Sequence, residues 1–311
     1  MRTAFIDTLC ELAEQDERIW LLTGDLGYSV LERFAERFPD RFVNVGVAEQ
    51  NMTGVAAGLA LCGKIVFNYS IGNFPTLRCL EQIRNDVCYH NLNVKLVAIG
   101  GGLAYGSQGY THHAVEDLAV MRAMPNMTVI APGDPVETRL ATRAIVDWPG
   151  PCYLRLGKSG EPMIYQVEPE FRIGKAIMVH KGSDVTLIST GSMLKTAVEA
   201  ADLLAAKGIH ARVLSMHTVQ PLDEKAILDA ARDTTLIATV EEHSGVGGLY
   251  SASVSVLSRR ETPCVKFAIQ NDIRSVVGSR SYLLELAGLT APAIAGAIYE
   301  HLLETSKREI R

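Results

Sequence analysis

Phe42-Val43-Asn44-Val45-Gly46-Val47-Ala48-Glu49-Gln50-Asn51-Met52 is the stretch on which the reading of the fold turns. The apolar run 42–47 has the composition of a buried strand. From Gln50 onward Met52, Val55, Ala56, Leu59 and Ala60 recur at the spacing of one helix face. Glu49 therefore stands where a strand gives way to a helix. A carboxylate at such a junction can be partly shielded from water, and can then hold or share a proton with a ring nitrogen. The simpler role for the same residue is to cap the helix or complement its dipole.

The alternation continues outward from that junction. Before it, Phe5, Ile6, Leu9, Leu12 and Ala13 mark a helix, 19–22 is a strand ending in Thr23-Gly24-Asp25, and 29–38 is a short helix. After it come strands at 65–69, 94–99, 128–131 and 152–156, with helices at 76–89 and 135–147. Strands separated by helices of this length predict a parallel sheet covered on both faces. The segment 157–171, with Gly160, Pro162 and Pro169, loses periodicity and reads as a linker. A second pattern starts at Ile173, with strands at 185–189, 211–215, 236–241 and 265–268. Its helices are expected at 194–207, 222–231, 247–260, 281–287 and 291–305. The expected fold is α/β, in two consecutive domains that each carry a mostly parallel sheet flanked by helices. The boundaries are 1–160, a linker at 161–172, and 173–311.

Composition narrows the function class. The 311 residues are 48% hydrophobic and 21% charged, with a net charge of −5 and no basic block for nucleic acid. Six cysteines without a CxxC pair argue for buried, reduced thiols over a disulfide scaffold or a zinc site. The N-terminus lacks the basic-then-apolar layout of a signal peptide, and no apolar run is expected to reach membrane-spanning length. A reducing cytoplasm fits these features.

Ligands of open parallel sheets bind beyond the carboxyl ends of the strands. Three segments fall there: Gly24-Asp25-Leu26, Ala48-Glu49-Gln50 and 105–113. Asp25 can fix a ligand through a charge-assisted hydrogen bond or serve a turn. Ser29 can cap a helix or meet a phosphate at its N-terminus. Gly106-Ser107-Gln108-Gly109-Tyr110-Thr111-His112-His113 carries glycines that permit close backbone approach and imidazoles able to move protons near neutral pH. Arg155 ends a strand and can fork onto an anion or form a surface salt bridge. Tyr69 and Phe74 can fill core or wall a flat heteroaromatic ring. Gly245-Val246-Gly247-Gly248, after Glu241-Glu242-His243, does not match a dinucleotide loop, and His243 reads as structural. A P-loop, GxSxG, HExxH and a metal-ligand cluster are all lacking. So is a Gly-Asp-Gly with a downstream Asn, of the kind that holds a magnesium diphosphate.

Taken in order, these motifs resemble the transketolase family. Gly46-Val47-Ala48-Glu49-Gln50-Asn51-Met52 is similar to its GV(A/R)E-x-x-M segment. Gly109-Tyr110-Thr111-His112-His113-Ala114-Val115-Glu116-Asp117 is similar to its GxTHxxxED loop. Pro125-Asn126-Met127, Ala131-Pro132-Gly133-Asp134 and Leu187-Ile188-Ser189-Thr190-Gly191-Ser192 extend the likeness over nearly the whole chain. The resemblance implies the C-terminal half of a split transketolase: a pyrimidine-binding domain followed by the transketolase C-terminal domain. Thiamine diphosphate would be the cofactor. Its diphosphate and Mg2+ would be held by an N-terminal partner subunit in a heterotetramer of two such pairs, α2β2.

By the same resemblance Glu49 hydrogen-bonds N1′ of the aminopyrimidine and promotes its imino tautomer, whose nitrogen takes the proton from the thiazolium. Asp25 lies near the thiamine, and Tyr69 or Phe74 packs on the pyrimidine. His112 and Gln108 face substrate, and Arg2, Ser29 and Arg155 hold the distal anion of a sugar phosphate. The implied reaction moves a two-carbon ketol unit from a ketose phosphate to an aldose. Two departures bear on the sugar. Gly100 stands where the family carries a phosphate-contacting His, and Gln108 where it carries an Asp that reads a donor hydroxyl. A branched or modified sugar phosphate, or a sulfosugar, is compatible with both. The alternatives are a β-type subunit of a 2-oxoacid dehydrogenase, a deoxyxylulose-phosphate synthase-like chemistry, and a subunit that keeps the fold without turnover.

Overall fold

The computed structural model describes residues 1–270, 273 and 275–309, with side chains through residue 304. Residues 310 and 311, at the end of the second expected domain, lie outside the described residues. Six strands of the first half are β1 (Ile19–Thr23), β2 (Phe42–Asn44), β3 (Ile65–Ile71), β4 (Val94–Ile99), β5 (Thr128–Ile130) and β6 (Cys152–Leu156). Six more follow: β7 (Ile177–His180), β8 (Val185–Ser189), β9 (Ala211–Ser215), β10 (Thr218–Gln220), β11 (Leu236–Ser244) and β12 (Cys264–Ile269). Two sheets result, ordered β10-β5-β6-β4-β3-β1-β2 and β12-β11-β8-β9-β7. Both are parallel except at one edge, where β10 and β7 run antiparallel to their neighbours.

Burial on both faces explains the parallel arrangement. Every residue of β4 and β6 is buried, as expected for strands roofed by helices on either side. On one face of the first sheet Phe5, Ile6 and Leu9 of the helix Arg2–Gln15 pack with Phe67 and Leu154. On the other, Met52 and Ala56 of the helix Glu49–Leu61 pack with Val66, Leu96 and Tyr153.

Several elements depart from the sequence reading, among them the strand β7 and the helix Asp117–Arg122, which it did not anticipate. β10 belongs by sequence to the second half yet completes the first sheet, with Thr218 opposite Ile130. A three-residue strand whose partner lies far back in the chain carries no periodic signal of its own. The expected helix 76–89 is instead a 3-10 turn, Leu77–Cys79, a short α-turn, Leu80–Gln82, and a π-helix, Ile83–Cys88. Its apolar face is kept, since Cys79, Ile83, Val87 and Cys88 are buried, but its hydrogen-bond ladder is not a continuous α-helix. Finally, the stretch Arg280–Glu304 is long and apolar enough to cross a membrane, which corrects the expectation that no run reaches that length. Here it is divided by Gly288 (φ 66°) into two helices that bury Leu283, Leu284, Leu289, Ile294 and Ile298 in the second core. The six cysteines are free thiols, and Cys10, Cys79, Cys88 and Cys152 are buried.

Burial of titratable groups gives stability a pH signature. Desolvation lowers the pKa of both His217 and His243 to about 4, and raises that of Glu241 to about 7. The histidines have depressed folded values. Their stabilisation is present above 6.5 and is lost as pH falls through 4. Glu241 has a raised folded value, so its contribution is present below 4.5 and is lost as pH rises through 7. Between pH 6.5 and 4.5 the unfolded chain holds two protons more on the histidines and one fewer on the acid. Stability is expected to fall by about 1.4 kcal/mol per pH unit on acidification across that window. Denaturant midpoints measured against pH check this: His217→Gln should flatten the slope and Glu241→Gln should steepen it.

Candidate active site

Loops leaving the carboxyl ends of β1, β2, β3, β4 and β6 emerge along one edge of the first sheet, because these strands are parallel. Glu49 is the first residue of the helix Glu49–Leu61 and is 1% exposed. Ala48 is the N-cap residue, and Glu49 is the acid of the helix's first turn, so its charge complements the helix dipole. Its carboxylate also accepts a hydrogen bond from Arg78 Nη1 at 2.7 Å. A Cβ at Gly24 would lie 3.3 Å from Gly46 O and 3.4 Å from Glu49 Cγ, so glycine there lets the β1 and β2 loops close over the acid.

Asp25 adjoins that contact and is exposed, with φ 57°. Asn44 locks it from the neighbouring strand end: Asp25 N donates to Asn44 Oδ1 at 3.0 Å, and Asn44 Nδ2 donates back to Asp25 Oδ1 at 3.1 Å. A left-handed non-glycine residue costs on the order of 1 kcal/mol, and this reciprocal pair offsets it.

The two candidate aromatics separate. Phe74 is half-buried at the site: the Arg78 guanidinium lies 4.6 Å over its ring, and His112 meets its edge at 5.2 Å. Tyr69 is 1% exposed, stacked on Phe5 at 6.1 Å, and close to Arg2. It fills core beneath the site, which corrects its assignment as a ring-packing residue. Its position in β3, buried along most of its length, leaves no face for a ligand.

His112 ends a 3-10 turn, Tyr110–His112, and its Nδ1 lies 3.0 Å from Thr111 Oγ1. Burial, and then the neighbouring His113, hold its pKa below 6.5, so the ring is neutral near pH 7. His113 is buried and structural. Asn73 Nδ2 donates to its carbonyl at 2.7 Å and ties this loop to the Phe74 segment. Gln108 is exposed on the same loop.

The cations are arranged differently from expectation. Arg155 is 4% exposed and points away from the mouth. Its Nε donates to Asp117 Oδ2 at 2.7 Å, and its Nη2 donates to Ala114 O at 2.7 Å and Glu242 O at 2.9 Å. It is a seam residue between the two sheets, not an anion ligand. Its place in a fully buried strand is the reason. Lys158, three residues on and past the strand end, supplies the open cation instead. Its Nζ sits 4.5 Å over the Tyr105 ring, and it pairs with no acid among the described residues. Sequence reasoning passed over it because a Lys in a glycine-rich linker has no pattern. Arg2 is half-buried and lies close to both Tyr69 and Tyr105. Ser29, exposed with φ 62°, donates its backbone N–H to Glu32 Oε1 in the loop whose Gly27 abuts the Tyr69 ring. A continuous line thus runs from Glu49 through Arg78, Phe74, His112 and Tyr105 to Lys158 and Arg2.

Residues 1–162 match the transketolase pyrimidine-binding domain, and residues 174–294 match the transketolase C-terminal domain. The chain belongs to the transketolase family. It is 43% identical to one subunit of an apulose-4-phosphate transketolase from Phocaeicola vulgatus, over 84% of this chain and 85% of that one. It is 40% identical to a 6-deoxy-6-sulfo-D-fructose transketolase subunit of a Clostridium species, over 96% and 94%. Among solved structures it superposes with TM-score 0.87 and 41% identity on a split-gene transketolase described as an inactive beta4 tetramer, covering 96% of each chain. These relatives are single subunits, or C-terminal sections, of two-part transketolases, and the chain is a subunit of that type.

A pyrimidine-binding domain of this family implies thiamine diphosphate. The donor set fits the aminopyrimidine end: a buried carboxylate for a ring nitrogen and, beside it, the half-buried Phe74 ring that Arg78 covers. Among the described residues, no group of three or more His, Cys, Asp or Glu could hold a metal ion. The transketolase-family departure at Gly100 has a structural counterpart. A Cβ there would lie 2.1 Å from the Tyr105 ring, so the space beside Gly100 (φ 78°) is taken by Tyr105.

Proposed function

We propose that this chain is the pyrimidine-binding subunit of a two-subunit transketolase that moves a two-carbon ketol unit from a ketose phosphate to an aldose. The contact chain from buried Glu49 through Arg78 to the Phe74–His112 pair carries this reading, because it places an acid, a flat apolar ring and a neutral imidazole on one line. Bound thiamine diphosphate supplies the electron sink for carbon–carbon cleavage. Glu49 holds a proton at the pyrimidine ring nitrogen, in a site from which water is largely excluded. Phe74 offers its face to that ring. Asp25, oriented by Asn44 and following the Gly24 that abuts Glu49, fixes the cofactor. Neutral His112 exchanges a proton with a substrate hydroxyl, and Gln108 reads a further hydroxyl from the same loop. The diphosphate and its Mg2+ belong to a partner subunit, in an α2β2 assembly in the cytoplasm. The domain limits remain those of the sequence, 1–160 and 173–311.

The distal phosphate of the sugar is assigned to Lys158 and Arg2, which flank Tyr105, with Ser29 nearby. With Tyr105 filling the space beside Gly100, the sugar end is shaped by a phenol where the family resemblance implies an imidazole. That supports a branched or modified sugar phosphate as donor. Lys158→Ala is expected to raise KM for the phosphorylated sugar about tenfold or more, with a much smaller effect on an unphosphorylated analogue. Thermal unfolding should be unchanged, because the ammonium pairs with no acid among the described residues. Steady-state kinetics on the two sugars check it.

The deciding experiment reconstitutes the chain with its companion, expected as a product of roughly 270 residues bearing Gly-Asp-Gly and a downstream Asn. Thiamine-dependent transfer is assayed from xylulose 5-phosphate to ribose 5-phosphate, and pyruvate oxidation with an artificial electron acceptor in parallel. Ketol transfer supports the proposal. Activity confined to pyruvate, or full transfer by this chain alone, overturns it.

A further inference from the structure

Arg78 lies against both groups that an aminopyrimidine would use. Its Nη1 donates to Glu49 Oε2 at 2.7 Å, and its guanidinium carbon sits 4.6 Å over the Phe74 ring. The guanidinium is planar, carries N–H donors along its edge and stacks on aromatic faces. It thereby presents to Glu49 and Phe74 the shape and the edge donors of the heteroaromatic ring. The two partners of the ion pair differ in freedom: the Glu49 side chain is 1% exposed and the Arg78 side chain 46%. The acid is fixed by the helix that starts on it, whereas the arginine can leave into water. Arg78 also sits in the irregular segment where the 3-10 turn Leu77–Cys79 precedes the short α-turn Leu80–Gln82, so its backbone is not locked in a long helix.

We propose that Arg78 is a displaceable occupant of the pyrimidine slot, a positioning residue that must swing off Glu49 and Phe74 before the cofactor ring can settle there. The inference rests on the reading of Glu49 and Phe74 given above, and adds a competition to it. Loading then depends on binding free energy gained elsewhere. The diphosphate supplies it through the partner subunit, so the ring is captured only when both subunits are in place. This chain by itself holds its acid paired with its own cation, and thiamine without a diphosphate binds it poorly.

The test uses the full chain and thiamine, which lacks the diphosphate, with affinity read by ligand-observed NMR. Arg78→Ala is expected to bind thiamine about tenfold more tightly than the unaltered chain, since both the carboxylate and the ring face become free. Arg78→Gln keeps the side chain's length and a hydrogen-bond donor but not the charge, guards against misfolding of the alanine form, and should also gain. In the unaltered chain the Arg78 Nε–H resonance, assigned by its loss in Arg78→Gln, should shift and exchange faster with water as thiamine is added. The double variant Glu49→Gln/Arg78→Gln should lose what the single variant gained. Equal or weaker thiamine binding by both Arg78 variants overturns the proposal. So does an unmoved Arg78 resonance at thiamine saturation, or thiamine binding by no form of the chain. If Arg78→Gln gains nothing while loss of Glu49 still weakens binding, the pyrimidine reading survives and only the competition falls. If loss of Glu49 leaves binding unchanged, the pyrimidine reading itself falls.

Discussion

Glu49→Gln, reconstituted with the partner subunit, is expected to lose about a thousandfold in kcat while leaving the unfolding midpoint of the subunit nearly unchanged. The reasoning starts from burial. A carboxylate 1% exposed at a helix start can exchange a proton with a ring nitrogen without competition from bulk water. Glutamine has the same shape and accepts the same Arg78 bond, so packing is preserved, but it cannot hold an exchangeable acid proton. Removal of a positioned proton-transfer group costs about a hundred- to ten-thousandfold. Loss should fall mainly on kcat, because donor and acceptor sugars are held by other side chains. Rapid-mixing exchange of the cofactor's C2 proton would locate the defect at activation. Turnover within threefold of the unaltered enzyme would remove Glu49 from the chemistry and, with it, the functional reading of the site.

How much of this was legible beforehand follows from which signals are local. Strands β1 to β6, and the helix Glu49–Leu61, follow from apolar period and composition, because each buries one continuous face or run. Glu49 and Asp25 stood out as acids just past strand ends, where ligands of parallel sheets bind, and His112 as an imidazole in the glycine-rich loop beyond β4. What failed to show was non-local. β10 pairs with a strand nearly ninety positions earlier, and no periodicity in three residues reports that. Arg78 gave no hint, since its partners are Glu49, 29 positions away, and a ring on the preceding turn. Arg155 and Lys158 look interchangeable as strand-end cations. Only tertiary packing separates them, because Arg155 is still within β6 and Lys158 is one residue past Gly157, outside the core.

Arg155 is therefore the second place where a large effect is expected, and of the opposite kind. Arg155→Met should cost about 3–5 kcal/mol of stability, with no selective rise in KM for the phosphorylated sugar. The guanidinium is sealed at the seam of the two sheets. It neutralises Asp117, which is itself fully buried and also receives the Tyr153 hydroxyl at 2.6 Å. It satisfies the carbonyls of Ala114 from the first sheet's loop and Glu242 from β11. Methionine fills much of the volume but leaves Asp117 as a buried charge without its two bonds from Arg155, and removes the Arg155 donor from Glu242 O, whereas Ala114 O still accepts from Gly102 N. Breaking one side of a buried pair is costly because the remaining charge stays desolvated. Asp117→Asn in the same chain should recover part of the loss by removing that charge, which a substrate-binding role would not predict. Urea unfolding of the three forms measures both effects. An Arg155→Met chain of undiminished stability whose KM rises for the phosphorylated sugar alone would return Arg155 to the anion site and dislodge Lys158 from it.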